Sequence, residues 1–142
     1  MFPAISPSSR ISSTGLAAEQ MRLRVAANNL ANINSTRDVD GGPYQRRQVV
    51  FATVSKPGAA RGLDELQGVR VNDIVRDNAP PQSKHMPWHP DADANGMGQV
   101  PDISPMNEMV DIITATRSYE ANLAAKRQSS KINQKTIELL KA

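Results

Sequence analysis

The 142-residue sequence contains no cysteine. That absence excludes a disulfide framework and a thiolate nucleophile, and it leaves the redox character of the compartment open. Aromatic side chains are scarce: Phe2, Phe51, Tyr44, Tyr119 and Trp88 are all there are. With 22% charged residues, ten prolines and eight glycines besides, little material remains for a thick core. The fold is therefore expected to be completed at a subunit interface, where assembly adds stability by mass action.

Long apolar runs are missing too. No stretch approaches the roughly 18 residues that a membrane-spanning helix needs, so the chain is not expected to span a bilayer. The start, Met1-Phe-Pro-Ala-Ile-Ser6, has its first basic residue at Arg10 and lacks the basic lead and apolar run of a cleaved signal peptide. Export, if it occurs, is expected to use another route. Nor is there a strong excess of one charge: 17 basic against 14 acidic residues give +3. The excess lies in Arg22/Arg24, Arg46-Arg47 and the series Lys126-Arg127, Lys131, Lys135, Lys141. This footprint is too weak for phosphate-backbone recognition, and no nucleic-acid partner is expected.

What the chain does have is an apolar stripe at each end. Leu16, Leu23 and Leu30 recur every seven residues, with Met21, Val25 and Ala27 beside them. Met109, Ile112, Thr116, Tyr119, Leu123, Ile137 and Leu140 form a second helical series. Each stripe needs a covering partner. The expected fold is mainly α: long N- and C-terminal helices packed as an α-helical hairpin or coiled-coil-like pair, with a small irregular β-containing middle segment. The boundaries expected are 1–36 for the first helix, 37–101 for a loop-rich middle with short strands, and 102–142 for the last helix, together forming one structural domain.

The first helix has two possible starts, Ser6-Pro7 with proline at the first helical position, or Thr14 after a fraying run of serines. Asn28, Asn29 and Asn32 lower its intrinsic helicity. Either they pair with polar groups across a helix interface and fix its register, or the C-terminus frays; continuation of the apolar series to Leu30 and Ile33 favours the interface. Asn34-Ser35-Thr36 matches a glycosylation acceptor, a short pattern read here as helix exit.

Asp38-Val-Asp-Gly-Gly-Pro43 is a turn-rich connector. Tyr44 to Val54 reads as extended, and a second extended piece follows Gly68, with Val69, Val71 and Val75 on one side and Arg70 and Asn72 on the other. These predict a hairpin, joined by a mobile loop at Lys56-Pro-Gly-Ala-Ala-Arg-Gly-Leu63. Asp77 to Pro101, with five prolines, is expected to be the least regular stretch, pinned by Trp88 to the helix pair or to a neighbouring chain. Ser104 and Pro105 supply the start signal for the last helix, with Glu108 and Asp111 early and most lysines late, as the helix dipole favours.

Chemistry is poorly supported. Asp91-Ala-Asp-Ala-Asn-Gly96 opens like a calcium loop, but its twelfth position is Asp102 rather than glutamate, and an Asx-rich turn is the better reading. His85 and His89 are four residues apart, yet Pro87 between them prevents a shared helical face. No catalytic residue, cofactor or metal is expected.

Four stretches carry a family resemblance: Ser13-Thr-Gly-Leu-Ala-Ala-Glu-Gln-Met-Arg-Leu-Arg-Val-Ala-Ala-Asn-Asn-Leu-Ala-Asn-Ile-Asn-Ser-Thr36, then Gly42-Pro-Tyr-Gln-Arg-Arg-Gln-Val-Val-Phe51 and His89-Pro-Asp-Ala-Asp-Ala-Asn-Gly96, then Glu108-Met-Val-Asp-Ile-Ile-Thr-Ala-Thr-Arg-Ser-Tyr-Glu-Ala-Asn122. Together they resemble the bacterial flagellar basal-body rod proteins, over nearly the whole chain. Met97, where an aromatic residue often follows the Asn-Gly turn, is a local departure.

The resemblance implies a structural subunit of the proximal rod in the periplasm, assembling helically and transmitting torque. Its implied partners are copies of itself, FlgB-, FlgF- and FlgG-like rod subunits, the rod base protein FliE, and the flagellar type III export apparatus that carries it without a cleaved signal. Leu16, Leu23, Val25 and Leu30 are expected to pack against Met109, Ile113, Tyr119 and Leu123, within a subunit or across its boundary. Asn28, Asn29, Asn32 and Asn122 would set register, and Trp88 would add lateral contacts. The alternative is a helical adaptor that never polymerises.

Overall fold

The structure, a computed structural model, describes residues 7–55 and 66–141. The order of elements is α1 (Pro7–Ala31), β1 (Arg47–Ser55), β2 (Leu66–Arg76), β3 (Gln82–His85), β4 (Met97–Val100) and α2 (Pro105–Lys141). The expected helical hairpin with a small β-containing middle is present. The possible cap at Ser6 and the loop at 56–63 lie outside the described residues.

The first helix takes the earlier of its two starts and runs from Pro7 straight through the serines. Hydroxyls that would otherwise compete with the helix bond back into it: Ser13 Oγ donates to the Ser9 carbonyl at 2.8 Å and Thr14 Oγ1 to that of Ile11 at 2.7 Å. The last helix begins as the sequence predicts. Pro105 is its first residue, and the Ser104 carbonyl accepts from the Glu108 N–H at 3.2 Å. At about 1.5 Å per residue the 37 residues of α2 reach about 55 Å, well beyond the 25 of α1.

The two helices run antiparallel. Ser8 meets Ser129, Gly15 meets Asn122, Arg22 meets Asp111 and Asn29 meets Glu108, so one number rises as the other falls. The seam corrects the leucine-stripe expectation. The buried residues of α1 are Ser9, Ser12, Gly15, Ala18, Val25, Ala26 and Asn29, whereas Leu16, Leu23 and Leu30 are only half-buried. Opposite them Ala115 is wholly buried. Small residues let the backbones approach closely: a Cβ added at Gly15 would stand 2.9 Å from Asn122 Oδ1. Leucines at these positions would hold the axes apart, so they flank the seam.

The predicted hairpin forms as an antiparallel pair of β1 and β2. A register shift between Val50 and Phe51 leaves Asn72 as an extra residue, which ends the expected alternation; Val69 and Val71 are half-buried but Val75 is 43% exposed. The hairpin lies along α1, where the Val69 N–H donates to Thr14 Oγ1 at 3.1 Å. Gly68 has φ +122°, and a Cβ there would fall 2.2 Å from Thr14 Oγ1. Only glycine fits this approach.

The stretch expected to be least regular contains a second antiparallel hairpin, β3 with β4. Its prolines explain why the expectation failed. Pro80 and Pro81 precede β3, Pro87 and Pro90 occupy the connecting turn, and Pro101 follows β4, so none removes a ladder hydrogen bond. Asp91 ties this unit to the connector after α1 by accepting from Thr36 Oγ1 at 2.8 Å and pairing with Arg37. Trp88 is 81% exposed, which corrects the expectation that it pins the loop to this chain's own helix pair.

Candidate assembly interface

At the inner end of the helix pair, polar groups from α2, from β1 and from the connector before it converge on Asn29, which is 1% exposed. All four of its hydrogen-bonding positions are used. Nδ2 donates to the Arg47 carbonyl at 2.8 Å and to Glu108 Oε2 at 2.9 Å. Oδ1 accepts from the Tyr44 hydroxyl at 3.0 Å and from the Arg47 N–H at 2.9 Å. One amide thus fastens α1 to β1 and to α2.

Glu108, equally buried, receives its counter-charge from Arg46, whose Nε donates to Oε1 at 2.6 Å. Arg46 also reaches Asp111 at 3.5 Å, and Arg22 of α1 donates to the same aspartate at 2.8 Å. A carboxylate taken out of water is costly unless paired and hydrogen-bonded; here it is both. Arg47 lies over the Tyr44 ring at 5.3 Å. Burial pushes the Tyr44 hydroxyl above its usual pKa, against the lowering effect of the Arg47 charge. On the surface the Asp40 carboxylate, hydrogen-bonded to Arg76, raises the guanidinium's pKa.

The four asparagines expected to set register have different partners. Asn29 alone bridges elements through hydrogen bonds. Asn28 Nδ2 bonds back to the Arg24 carbonyl at 2.9 Å, and Asn32 bonds to the Asn28 carbonyl and to Ser35 at the helix exit. Asn122 Nδ2 bonds to the Ser118 carbonyl at 3.0 Å while its amide packs on Gly15. Among the apolar candidates, Val25 is buried and Tyr119 and Leu123 are half-buried. Met109 and Ile113 are 49% and 58% exposed, so a large part of each is left uncovered within this chain. With Met106 and Val110, at 70% and 55%, they make an apolar face at helical spacing on α2.

Sequence reasoning missed Glu108 and Arg46 as partners. Glu108 carried the signal of a dipole-favoured residue at a helix start, and Arg46 that of a solvated flank; neither pattern reports that the chain folds them onto Asn29. The aspartate loop behaves as an Asx turn. Asp93 Oδ1 accepts from the Asn95 and Met97 N–H groups, both at 2.8 Å. Among the described residues no group of three His, Cys, Asp or Glu side chains is placed to hold a metal. No helix among them is long and apolar enough to cross a membrane.

Residues 10–37 match the family described as "Flagella basal body rod protein", and residues 94–139 match "Flagellar basal body rod FlgEFG protein C-terminal". These segments cover much of the helix pair just described. The flagellar basal-body rod protein FlgC of Escherichia coli O157:H7 is 40% identical over 129 residues, covering 91% of this chain and 92% of that protein. The chain belongs to the FlgC family of flagellar basal-body rod proteins. FlgC of Borreliella burgdorferi is 37% identical over 142 residues, covering 92% and 93% of the two chains, and FlgC of Bacillus subtilis is 33% identical over 140, covering 91% and 93%. Membership makes this chain a structural subunit of the basal-body rod.

Proposed function

We propose that this chain is a subunit of the proximal rod, assembling helically with copies of itself and with FlgB-, FlgF- and FlgG-like subunits and FliE, and that it passes torque across the periplasm. It reaches the periplasm through the flagellar type III export apparatus without a cleaved signal. The observation that carries this reading is the exposed face Met106, Met109, Val110 and Ile113 on a helix whose opposite side is already packed. Isolated exposed apolar residues are ordinary, but a row at helical spacing calls for a neighbour. Leu16, Leu23, Leu30, Tyr119 and Leu123, flanking a seam of small residues, add half-covered area, and Trp88 supplies a lateral contact. Torque needs rigid subunits, and the buried junction at Asn29 locks the helix pair to the hairpin.

Cryo-electron microscopy of purified basal bodies tests the reading: density for this chain is expected to repeat in the proximal rod with both helices packed into the tube. Leu23→Asp or Ile113→Asp is expected to abolish incorporation by placing a charge in a packed face. Normal incorporation of both variants would remove these residues from the interface. A finite soluble complex instead of a repeating array would favour an adaptor.

A further inference from the structure

At the outer end of the helix pair, α1, β1 and β2 frame a groove of about 480 Å³ whose walls include Ile11, Ala18, Phe51 and Val69, with Asn122 from α2. Its one ionisable lining residue is Glu19. That carboxylate is only 16% exposed, its Oε2 has no hydrogen-bond partner, and the nearest cation, Arg22, stands 4.0 Å away. A carboxylate so withdrawn from water and so weakly paired would be stabilised by an ammonium brought in from outside.

The same chain carries a matching element. Ser8 meets Ser129 near the start of α1, and α2 continues to Lys141, an extension of about 18 Å at 1.5 Å per residue. On this extension Ile132, Lys135, Thr136 and Leu139 share one face at i, i+3, i+4 and i+7. Ile132 and Leu139 are 55% and 79% exposed, and Lys131 and Lys135 are exposed beside them. An apolar groove with one under-paired carboxylate and a projecting helix with apolar residues and lysines are complementary in both hydrophobicity and charge. The Met106 to Ile113 face is apolar as well, but it lies along the body of the chain, whereas among the described residues the extension projects far enough to enter a groove.

We propose that the C-terminal turns of α2 from a second copy of this chain dock in the groove, with Ile132 and Leu139 against Phe51 and Val69 and Lys135 against Glu19. This rests on the rod reading and deepens it. Groove and extension are different surfaces of the same chain, so the contact is heterologous and each copy leaves one of each open. A closed pair related by a twofold axis is not its natural product; a row of copies is.

The absence of natural cysteine makes an engineered pair diagnostic. Full-length Thr53→Cys/Leu139→Cys protein, oxidised in purified basal bodies, is expected to give a ladder of chain multimers that neither single variant gives. Glu19→Lys is expected to reduce the ladder several-fold, and adding Lys135→Glu to restore it. Co-expression of the two single variants, expected to give one chain–chain disulfide, carries the test if the double variant does not assemble. Incorporation without a chain–chain disulfide, a disulfide closed within one chain, or a swap that fails to restore the ladder would overturn the groove assignment and leave the rod reading standing. Absence of wild-type chain from basal bodies would overturn both.

Discussion

The two ends of the helix pair solve the problem of a thin core in opposite ways. At the inner end, the buried Asn29, Glu108 and Tyr44 form a hydrogen-bonded polar junction closed by the half-buried Arg46. At the outer end, Ile132, Leu139 and Leu140 stand 55%, 79% and 82% exposed on the extension of α2. The junction at the first end is finished within the chain, although the α2 face beside it is open, and the second end presents the kind of surface a neighbour finishes. A subunit of an open polymer needs both: a part rigid before assembly, and a part whose energy is released only on assembly.

The contrast is broken most severely at the inner end. Asn29→Ala leaves Glu108, the Tyr44 hydroxyl and both Arg47 backbone groups short of partners inside the protein, and is expected to cost about 3–5 kcal/mol. Urea denaturation reads this as a lower midpoint; a loss well under about 1 kcal/mol would mean that the junction is not buried in solution. Next comes Gly68→Ala, which meets both the positive φ and the Thr14 hydroxyl, with an expected cost of about 1–3 kcal/mol. Adding Thr14→Ala should recover part of it, because it removes the steric half of the penalty but not the conformational half. No recovery would show that the hairpin does not sit on Thr14.

Tyr44→Phe removes one hydrogen bond to Asn29 and is expected to cost about 1 kcal/mol at neutral pH. It also carries a pH signature. Burial raises the Tyr44 pKa in the folded chain above the ordinary value of 10.0, so the folded state holds the phenol proton more tightly than the unfolded one. The associated stability is complete below that ordinary value and is lost as pH rises through the raised one. Denaturation midpoints from pH 8 to 11 should therefore fall less steeply for Tyr44→Phe than for the wild-type chain. Smallest in stability, within about 0.5 kcal/mol, is Leu139→Asp at the exposed outer end, yet it should abolish incorporation into basal bodies. A large stability loss in the free chain would show that Leu139 is already covered within it.

Much of the framework was legible in the residues. Pro105 after Ser104 marked the start of α2, the β-branched run from Val49 to Val54 marked β1, and helical periodicity at both ends predicted the pair. The second hairpin escaped because five prolines were read as breakers of the whole stretch rather than as residues set at its turn and ends. The seam was misplaced for a related reason. A heptad of leucines is the strongest apolar signal in α1, but helices that approach at Gly15 and Ala18 have no room for leucine between them.

By itself the sequence determined the two helices, the first hairpin, the polarity at the helix termini and the shortage of core, because propensity, capping and composition act locally or additively along the chain. Tertiary structure alone decided that Asn29, rather than Asn28 or Asn32, is the junction, and that Glu108 is a buried partner rather than a solvated helix start. Those roles depend on which side chains meet across separations of 79 and 62 residues, from Asn29 to Glu108 and from Arg46 to Glu108. No local pattern records such a meeting, since the free energy of a buried polar group is set by the partners that the rest of the chain brings to it.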